Sequence, residues 1–137
     1  MYLVRMVYVS TIVDRLDSGA LPRILEVAKE NNEKHDLTGL LVFSSKHYLQ
    51  VIEGGRKSVN QLLNNLYHDE RHSHLLVLGM EEISQRIFSQ WSMQFVPAID
   101  ATRQILLRNG VTHDYAPYEL PYKSALGFLS DMQLVPS

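Results

Sequence analysis

Six residues in the sequence have side chains suited to gripping a flat, polar ligand and responding to it: Tyr8, Asn31, Asn32, Gln50, Trp91 and Met93. Gln50 anchors the set, because it interrupts Tyr48-Leu49-Gln50-Val51-Ile52-Glu53, a run that otherwise reads as a buried β-strand. A side-chain amide carries two donors and an acceptor with two lone pairs, and a protein interior rarely leaves them unpaired. An unsatisfied group of this kind costs roughly 1–3 kcal/mol. Either backbone groups of the core satisfy Gln50 or a bound ligand does. Asn31 and Asn32 pose a similar choice. An asparagine near a helix end is commonly a cap, because it tolerates the left-handed conformation. Yet Asn32 extends the apolar stripe of its helix by four places, with Asn31 beside it. An amide offers donor and acceptor together, which suits a ligand edge of carbonyl, N–H and carbonyl. Tyr8, Trp91 and Met93 also have a plain reading, as ordinary core residues.

The elements that must position these side chains follow from periodicity. Residues 2–9 are rich in β-branched and aromatic types and read as a first strand. Asp17-Ser18-Gly19 offers cap chemistry for a helix reaching about Asn32, with Pro22 in its first turn and a stripe of Leu21, Ile24, Leu25 and Ala28. Thr38–Phe43 and Tyr48–Glu53 form a hairpin around Ser44-Ser45-Lys46-His47. Gly54-Gly55 breaks the third strand, and Ser58 can cap a second helix whose buried face is Val59, Leu62, Leu63 and Leu66. The charged, imidazole-rich segment 67–74 ends that helix. Leu75–Met80 and Trp91–Val96 read as the fourth and fifth strands.

The order β-α-β-β-α-β-β predicts an α+β, ferredoxin-like fold with a five-stranded mixed sheet and both helices on one face. Its first and third strands are expected to lie adjacent and parallel at the centre. Alternation then puts Val4, Met6 and Tyr8 on one face of the first strand, and Tyr48, Gln50 and Ile52 on one face of the third. If these are the helix-covered faces, Tyr8 and Gln50 are near neighbours beneath the two helices. Trp91 and Met93 share a face of the fifth strand. Residues 1–97 read as the principal domain. Residues 98–137 hold a helix over Ala101–Asn109 ending at Gly110, a proline-rich link through 113–121 and a helix over Tyr122–Leu129. These C-terminal helices are too short for a domain and are expected on the open sheet face.

Composition narrows the function classes. At 137 residues and 45% hydrophobic, the chain can bury one real core. Lys+Arg 13 against Asp+Glu 15, a formal charge of −2, offers no basic face for nucleic acid. Without cysteine there are no disulfides, thiol nucleophiles or thiolate metal sites, and no photochemistry through a cysteinyl adduct. Short apolar runs and an N-terminus without signal-peptide features predict a cytoplasmic chain that does not enter the membrane.

Several motifs together resemble one family. They are Tyr8 on the first strand, Asn31-Asn32 followed by Leu37-Thr38-Gly39, and Leu49-Gln50-Val51-Ile52-Glu53-Gly54, then Asp69-Glu70-Arg71-His72 and Trp91-Ser92-Met93-Gln94. Over about residues 2–97 the chain resembles the BLUF domain, the blue-light sensor that uses FAD, in its short stand-alone form. The resemblance implies a photoreceptor, not an enzyme, with FAD held non-covalently between the two helices. Asn31 and Asn32 would bind the pyrimidine-side carbonyl and N–H. Gln50 would bridge Tyr8 and the flavin N5/C4-carbonyl edge, and Ile24, Lys29, Asp69, Arg71 and His72 would complete the cofactor contacts. Tyr8, Gln50, Met93 and Trp91 form the photoactive set: light moves an electron and a proton from Tyr8 to the flavin, and the hydrogen bonds of Gln50 rearrange. Ala28, Glu30 and Asn65 depart from polar or basic positions of relatives, leaving Lys29, Arg56, Lys57 and Arg71 as candidates for the diphosphate. Output is expected through the fifth strand and residues 98–137 to a downstream signalling protein, with the chain itself a homo-oligomer.

Two other readings use the same scaffold. One is an enzyme, a flavin reductase or acylphosphatase-like hydrolase, for which His68, His72 and His74 invite a metal or acid–base role. It lacks a glycine-rich dinucleotide fingerprint. The other is a ferredoxin-like ligand-binding module without photochemistry, which leaves Tyr8, Asn32 and Gln50 together by accident.

Overall fold

The computed structural model describes residues 2–13, 20–89, 93–111 and 115–135. Strand β1 (Leu3–Ile12) leads into helix α1 (Ala20–Lys34), the hairpin β2 (Thr38–Phe43) and β3 (His47–Gly55), helix α2 (Arg56–Tyr67), and strands β4 (His72–Glu82) and β5 (Gln94–Pro97). Helices α3 (Arg103–Arg108) and α4 (Tyr122–Met132) follow, with one 3-10 turn before each. The sheet order is β4-β1-β3-β2-β5, and β5 runs parallel to β2 while the other neighbours are antiparallel. This is the expected mixed five-stranded, ferredoxin-like sheet.

One expectation about it is wrong: β1 and β3 are adjacent but antiparallel. The crossover through α1 makes β2 parallel to β1, and the tight hairpin reverses the chain. A strand inserted between the two must therefore oppose both. The antiparallel register places Tyr8 directly opposite Gln50, and opposed residues project from the same face.

Boundaries moved for identifiable reasons. Gly54-Gly55 does not break β3, which continues through Gly55. A Cβ at Gly54 would overlap the Leu37 side chain, so that glycine serves a close approach rather than a turn. Ser58 does not cap α2. Gly55 occupies the N-cap in an extended conformation and Ser58 lies inside the first turn. Helix α1 runs past Asn32, and it is Asp36, φ +54°, that adopts the left-handed conformation. The main-chain N–H of Leu37 then donates to the Asn32 carbonyl at 2.9 Å. Strand β4 starts at His72, well before Leu75, whereas β5 starts only at Gln94. Asp17-Ser18-Gly19 and Trp91 lie outside the described residues.

The sheet separates two cores. On the helix side, Val4, Met6, Tyr8, Leu41, Tyr48, Ile52 and Met93 pack with Val59, Leu62, Leu63 and Leu66 of α2 and Leu25 of α1. On the opposite side, Val7, Val9, Leu40, Val42, Leu49, Val51 and Val96 pack under Ala125, Phe128, Leu129 and Met132 of α4. The two-residue period of the strands produces this sorting. Among the described residues, no helix is long and apolar enough to cross a membrane.

Gly39 sits where β2 presses on β3, and a Cβ there would collide with the Val51 carbonyl oxygen. Backbone cannot swing aside as a flexible side chain can. Gly39→Ala is expected to lower stability by about 3 kcal/mol, the upper end for overpacking, in urea unfolding. A loss indistinguishable from zero would show that the β2–β3 contact is loose.

Candidate functional site

Between α1, α2 and the sheet lies a cavity of about 310 Å³, at the lower end of the range for small-molecule sites. Ile24, Val27 and Ala28 of α1 face Leu62 and Leu66 of α2 across it, making two apolar walls. Leu41, Tyr8, Tyr48 and Gln50 contribute from the sheet, and Asn31, Asn32, Asn65, Asp69, Arg71 and His72 supply polar groups around it. Helical spacing accounts for the walls: Ile24, Ala28 and Asn31, like Leu62 and Leu66, recur at three or four places and share a helix face.

The polar centre is a chain of three side chains, two from neighbouring strands and one from just before β5. The Tyr8 hydroxyl donates to Gln50 Oε1, and Gln50 Nε2 donates to Met93 Sδ at 3.4 Å. All three are buried, with Gln50 only 7% exposed. Burial pushes the Tyr8 phenol well above its ordinary range, with the neighbouring Tyr48 and Asp69 adding to the effect. Tyr8 is therefore a neutral donor at any ordinary pH. At the helix ends, Asp69 grips Arg71 in a fork, with Nη2 to Oδ2 at 2.6 Å and Nε to Oδ1 at 2.8 Å. That guanidinium holds the Asp69 carboxyl below its usual range, against the opposing effect of partial burial.

Two buried polar atoms on the lining have no protein partner: the Tyr48 hydroxyl and His72 Nδ1. His72 Nε2 lies 2.8 Å from the Leu66 carbonyl. A carbonyl only accepts, so Nε2 carries a proton toward Leu66 and Nδ1 is the ring nitrogen without a protein partner. Buried orphans are rare and costly, and here they sit beside a flat, apolar-walled slot with amides at its rim. A planar ligand with a polar edge fits that combination, and a flavin ring is such a ligand.

Of the residues singled out from sequence, Tyr8, Ile24, Asn31, Asn32, Gln50, Asp69, Arg71 and His72 all line the cavity, and Met93 abuts it through Gln50. Asn32 is 2% exposed, a buried helical residue rather than a cap. Lys29 is not part of the lining. Arg56 stacks over the Tyr2 ring, 3.9 Å from its centroid, on a separate depression. Lys57 borders a smaller hollow of about 230 Å³ that shares Asn31, Leu62 and Asn65 with the main cavity. Sequence reasoning missed Tyr48, Val27 and Leu41 as lining residues. Tyr48 shares its strand face with Gln50, and that alternation was the available signal. His68 and His74 are turned to local partners, the Asn64 carbonyl and Ser73. No group of three potential metal ligands occurs among the described residues.

The fold and site are thus a ferredoxin-like sheet, a slot between two helices suited to a planar ligand, and a tyrosine–glutamine pair at its base. The family model described as BLUF, "Sensors of blue-light using FAD", matches residues 3–94, and the chain belongs to that family. It is 26% identical over 92 residues to the blue light- and temperature-regulated antirepressor BluF of Escherichia coli (strain K12), covering 67% of this chain and 23% of that protein. It is 29% identical over 92 residues to the photoactivated adenylate cyclase subunit alpha of Euglena gracilis, covering 66% of this chain and 9% of that protein. The chain thus spans less than a quarter of these relatives' length. Among solved structures, the dark state of BlrB, a BLUF protein, superposes with a TM-score of 0.79 at 25% identity, over 96% of this chain and 95% of that one. The photo-activated state of BlsA superposes with a TM-score of 0.87 at 24% identity, over 98% and 97%, a likeness of fold.

A folded-state pKa raised above the unfolded value of about 10 means that the native chain holds its Tyr8 proton after the unfolded chain has lost its own. The contribution to stability is complete below that pH and is lost as pH rises beyond it. In ultraviolet titration of the folded protein, Tyr8→Phe is expected to leave the phenolate signal developing between about pH 10 and 11 unchanged. Loss of one tyrosine's worth of signal in that window would mean that Tyr8 is not held neutral.

Proposed function

We propose that this chain is a blue-light photoreceptor in which FAD binds non-covalently in the cavity, Tyr8 is the electron and proton donor, and Gln50 is the hydrogen-bond switch. The observation that carries the reading is the hydrogen-bonded chain from the Tyr8 hydroxyl through the Gln50 amide to Met93 sulfur. Asn31 and Asn32, at the rim, would hold the carbonyl and N–H edge of the ring. Arg71, fixed by Asp69, is the lining cation nearest in character to what a phosphate needs. When bound, FAD supplies a blue-absorbing ring able to draw an electron and a proton from a nearby phenol and return them.

The residues define what such an event can alter. The first acceptor for the Tyr8 proton is Gln50 Oε1, because the hydroxyl already donates there. The amide's two ends are not equivalent. Met93 sulfur accepts a weak hydrogen bond but has no proton to give, so it matches the NH2 end and not the oxygen. An amide turned over would face sulfur with its carbonyl, lose that bond and favour displacement of Met93. A change at Gln50 is thereby passed to β5 without any net charge movement. Met93 is followed by Gln94, whose Nε2 donates to the Gln133 carbonyl at the end of α4, at 3.2 Å. That contact supports output through residues 98–137 to a protein partner, whose binding shifts only by its differential affinity for the two states.

Purified protein is expected to be yellow, and blue light to move its long-wavelength absorbance slightly to the red, reversing in darkness. Protein that stays colourless when supplied with FAD would end the assignment. Gln50→Leu is expected to keep bound flavin while abolishing the red shift, and Tyr8→Phe to bind FAD without forming the shifted state. A normal photocycle in either variant would remove that residue from the mechanism.

A further inference from the structure

We propose that Arg86 and Glu53 are positioning residues for the switch: together they clamp the β4–β5 connection so that Met93 sulfur stands on the Gln50 amide. This rests on the reading of Gln50 and Met93 given above. Glu53 follows Gln50 by three residues on β3 and so projects from the opposite face. It is fully buried. Its carboxylate accepts from Arg5 Nε at 2.7 Å, from the main-chain N–H of Phe88 at 2.7 Å and from that of Ile87 at 3.0 and 3.2 Å. Arg86, the preceding residue, reaches in the other direction. Its Nη1 donates to Thr38 Oγ1 at 2.8 Å and to the Glu53 carbonyl at 3.0 Å, and its Nη2 to the Asp36 carbonyl at 2.8 Å.

Residues 86–88 are thus tied at once to β3, to the first residue of β2 and to the link before it. Phe88 is buried in the core on the α4 side of the sheet. Five residues later Met93 stands immediately before β5. Its neighbour on the other side along the chain is a four-residue parallel edge strand whose ladder to β2 begins at Gln94. A short edge strand fixes its first neighbour poorly, since the ladder restrains one side alone. The clamp supplies the second fixed point. It is built from hydrogen bonds to charged groups, which are shorter and stronger than neutral ones, and part of it is dry. Arg86 is only partly buried, and the carbonyls it leaves behind can take water. Its removal therefore loosens the connection more than it unfolds the protein. Glu53 is the poorer probe, because its loss leaves the buried Arg5 with only the half-exposed Glu81 carboxylate, 3.7 Å away.

The test uses the full chain with methyl-labelled methionine, with and without FAD, as wild type, Arg86→Ala and Arg86→Lys. Met93 and Met6 both pack on the helix side, but only Met93 follows the clamped segment. In Arg86→Ala the Met93 methyl resonance is expected to shift in the flavin-free and FAD-loaded protein while that of Met6 stays in place, a pattern that general destabilisation would not give. The dark-recovery rate should change by about fivefold or more, the lower end of ordinary coupling between sites. FAD affinity should hold, because Arg86 is outside the cavity lining. Lysine keeps the charge without the fork and should fall between wild type and alanine. An unmoved Met93 resonance overturns the proposal, as does a moved one with unchanged recovery. Wild type without any red shift would instead refute the photoreceptor reading, and the Met93 resonance of the flavin-free protein would still decide whether the clamp places that side chain.

Discussion

Strand β3 runs between β1 and β2 with both faces covered, so a polar side chain it buries needs a partner from another element or a ligand. Gln50 and Glu53, on opposite faces, find theirs within the protein, whereas the Tyr48 hydroxyl does not. Gln50 is met by Tyr8 from one neighbouring strand and by Met93 from the start of the edge strand. Glu53 is met by Arg5 and by two main-chain N–H groups of the β4–β5 connection. Leaving either group bare would cost more than most single contacts contribute. The chain around β3 is arranged to prevent it, and much of the fold near the site follows from that need.

The two solutions differ in character, and the difference has functional weight. Glu53 is over-determined: several donors converge on one carboxylate, and no rearrangement improves on them. Gln50 is satisfied by a partner that fits one end of the amide and not the other. Sulfur accepts weakly and donates nothing, so the arrangement holds one orientation without making its reversal prohibitive. In the proposed mechanism, a rigid buried charge beside an adjustable neutral amide would keep the scaffold fixed while the amide alone changes state.

The apolar setting matters as much as the hydrogen bonds. Burial keeps Tyr8 neutral, so its hydroxyl remains a donor to the Gln50 amide. The helices α1 and α2 wall the slot with aliphatic residues and carry amides at its rim, leaving unpartnered polar atoms on Tyr48 and His72. On the far side of the sheet α4 closes the second core. Tyr118, ahead of α4, shares a hydrogen bond with Thr11 and donates to the His74 carbonyl. The C-terminal segment is therefore attached to the same strands that hold the site.

By itself, the sequence determined the elements and their faces. The two-residue alternation of Val4, Met6, Tyr8 and of Tyr48, Gln50, Ile52, and the three- and four-residue spacing in α1 and α2, are local properties that survive without a fold. They were enough to put Tyr8, Gln50, Asn31 and Asn32 on one pocket. Only tertiary structure decided what depends on approach between distant segments. The β1–β3 direction came from threading one strand into a crossover. The need for glycine at 54 came from Leu37 pressing on it, and the exclusion of Lys29 from the lining came from how α1 sits on the sheet. Glu53 and Arg86 belong to the same class. A glutamate at the end of an apolar run and an arginine in a polar loop look solvated in one dimension, and only the folded chain brings residues 86–88 against Glu53.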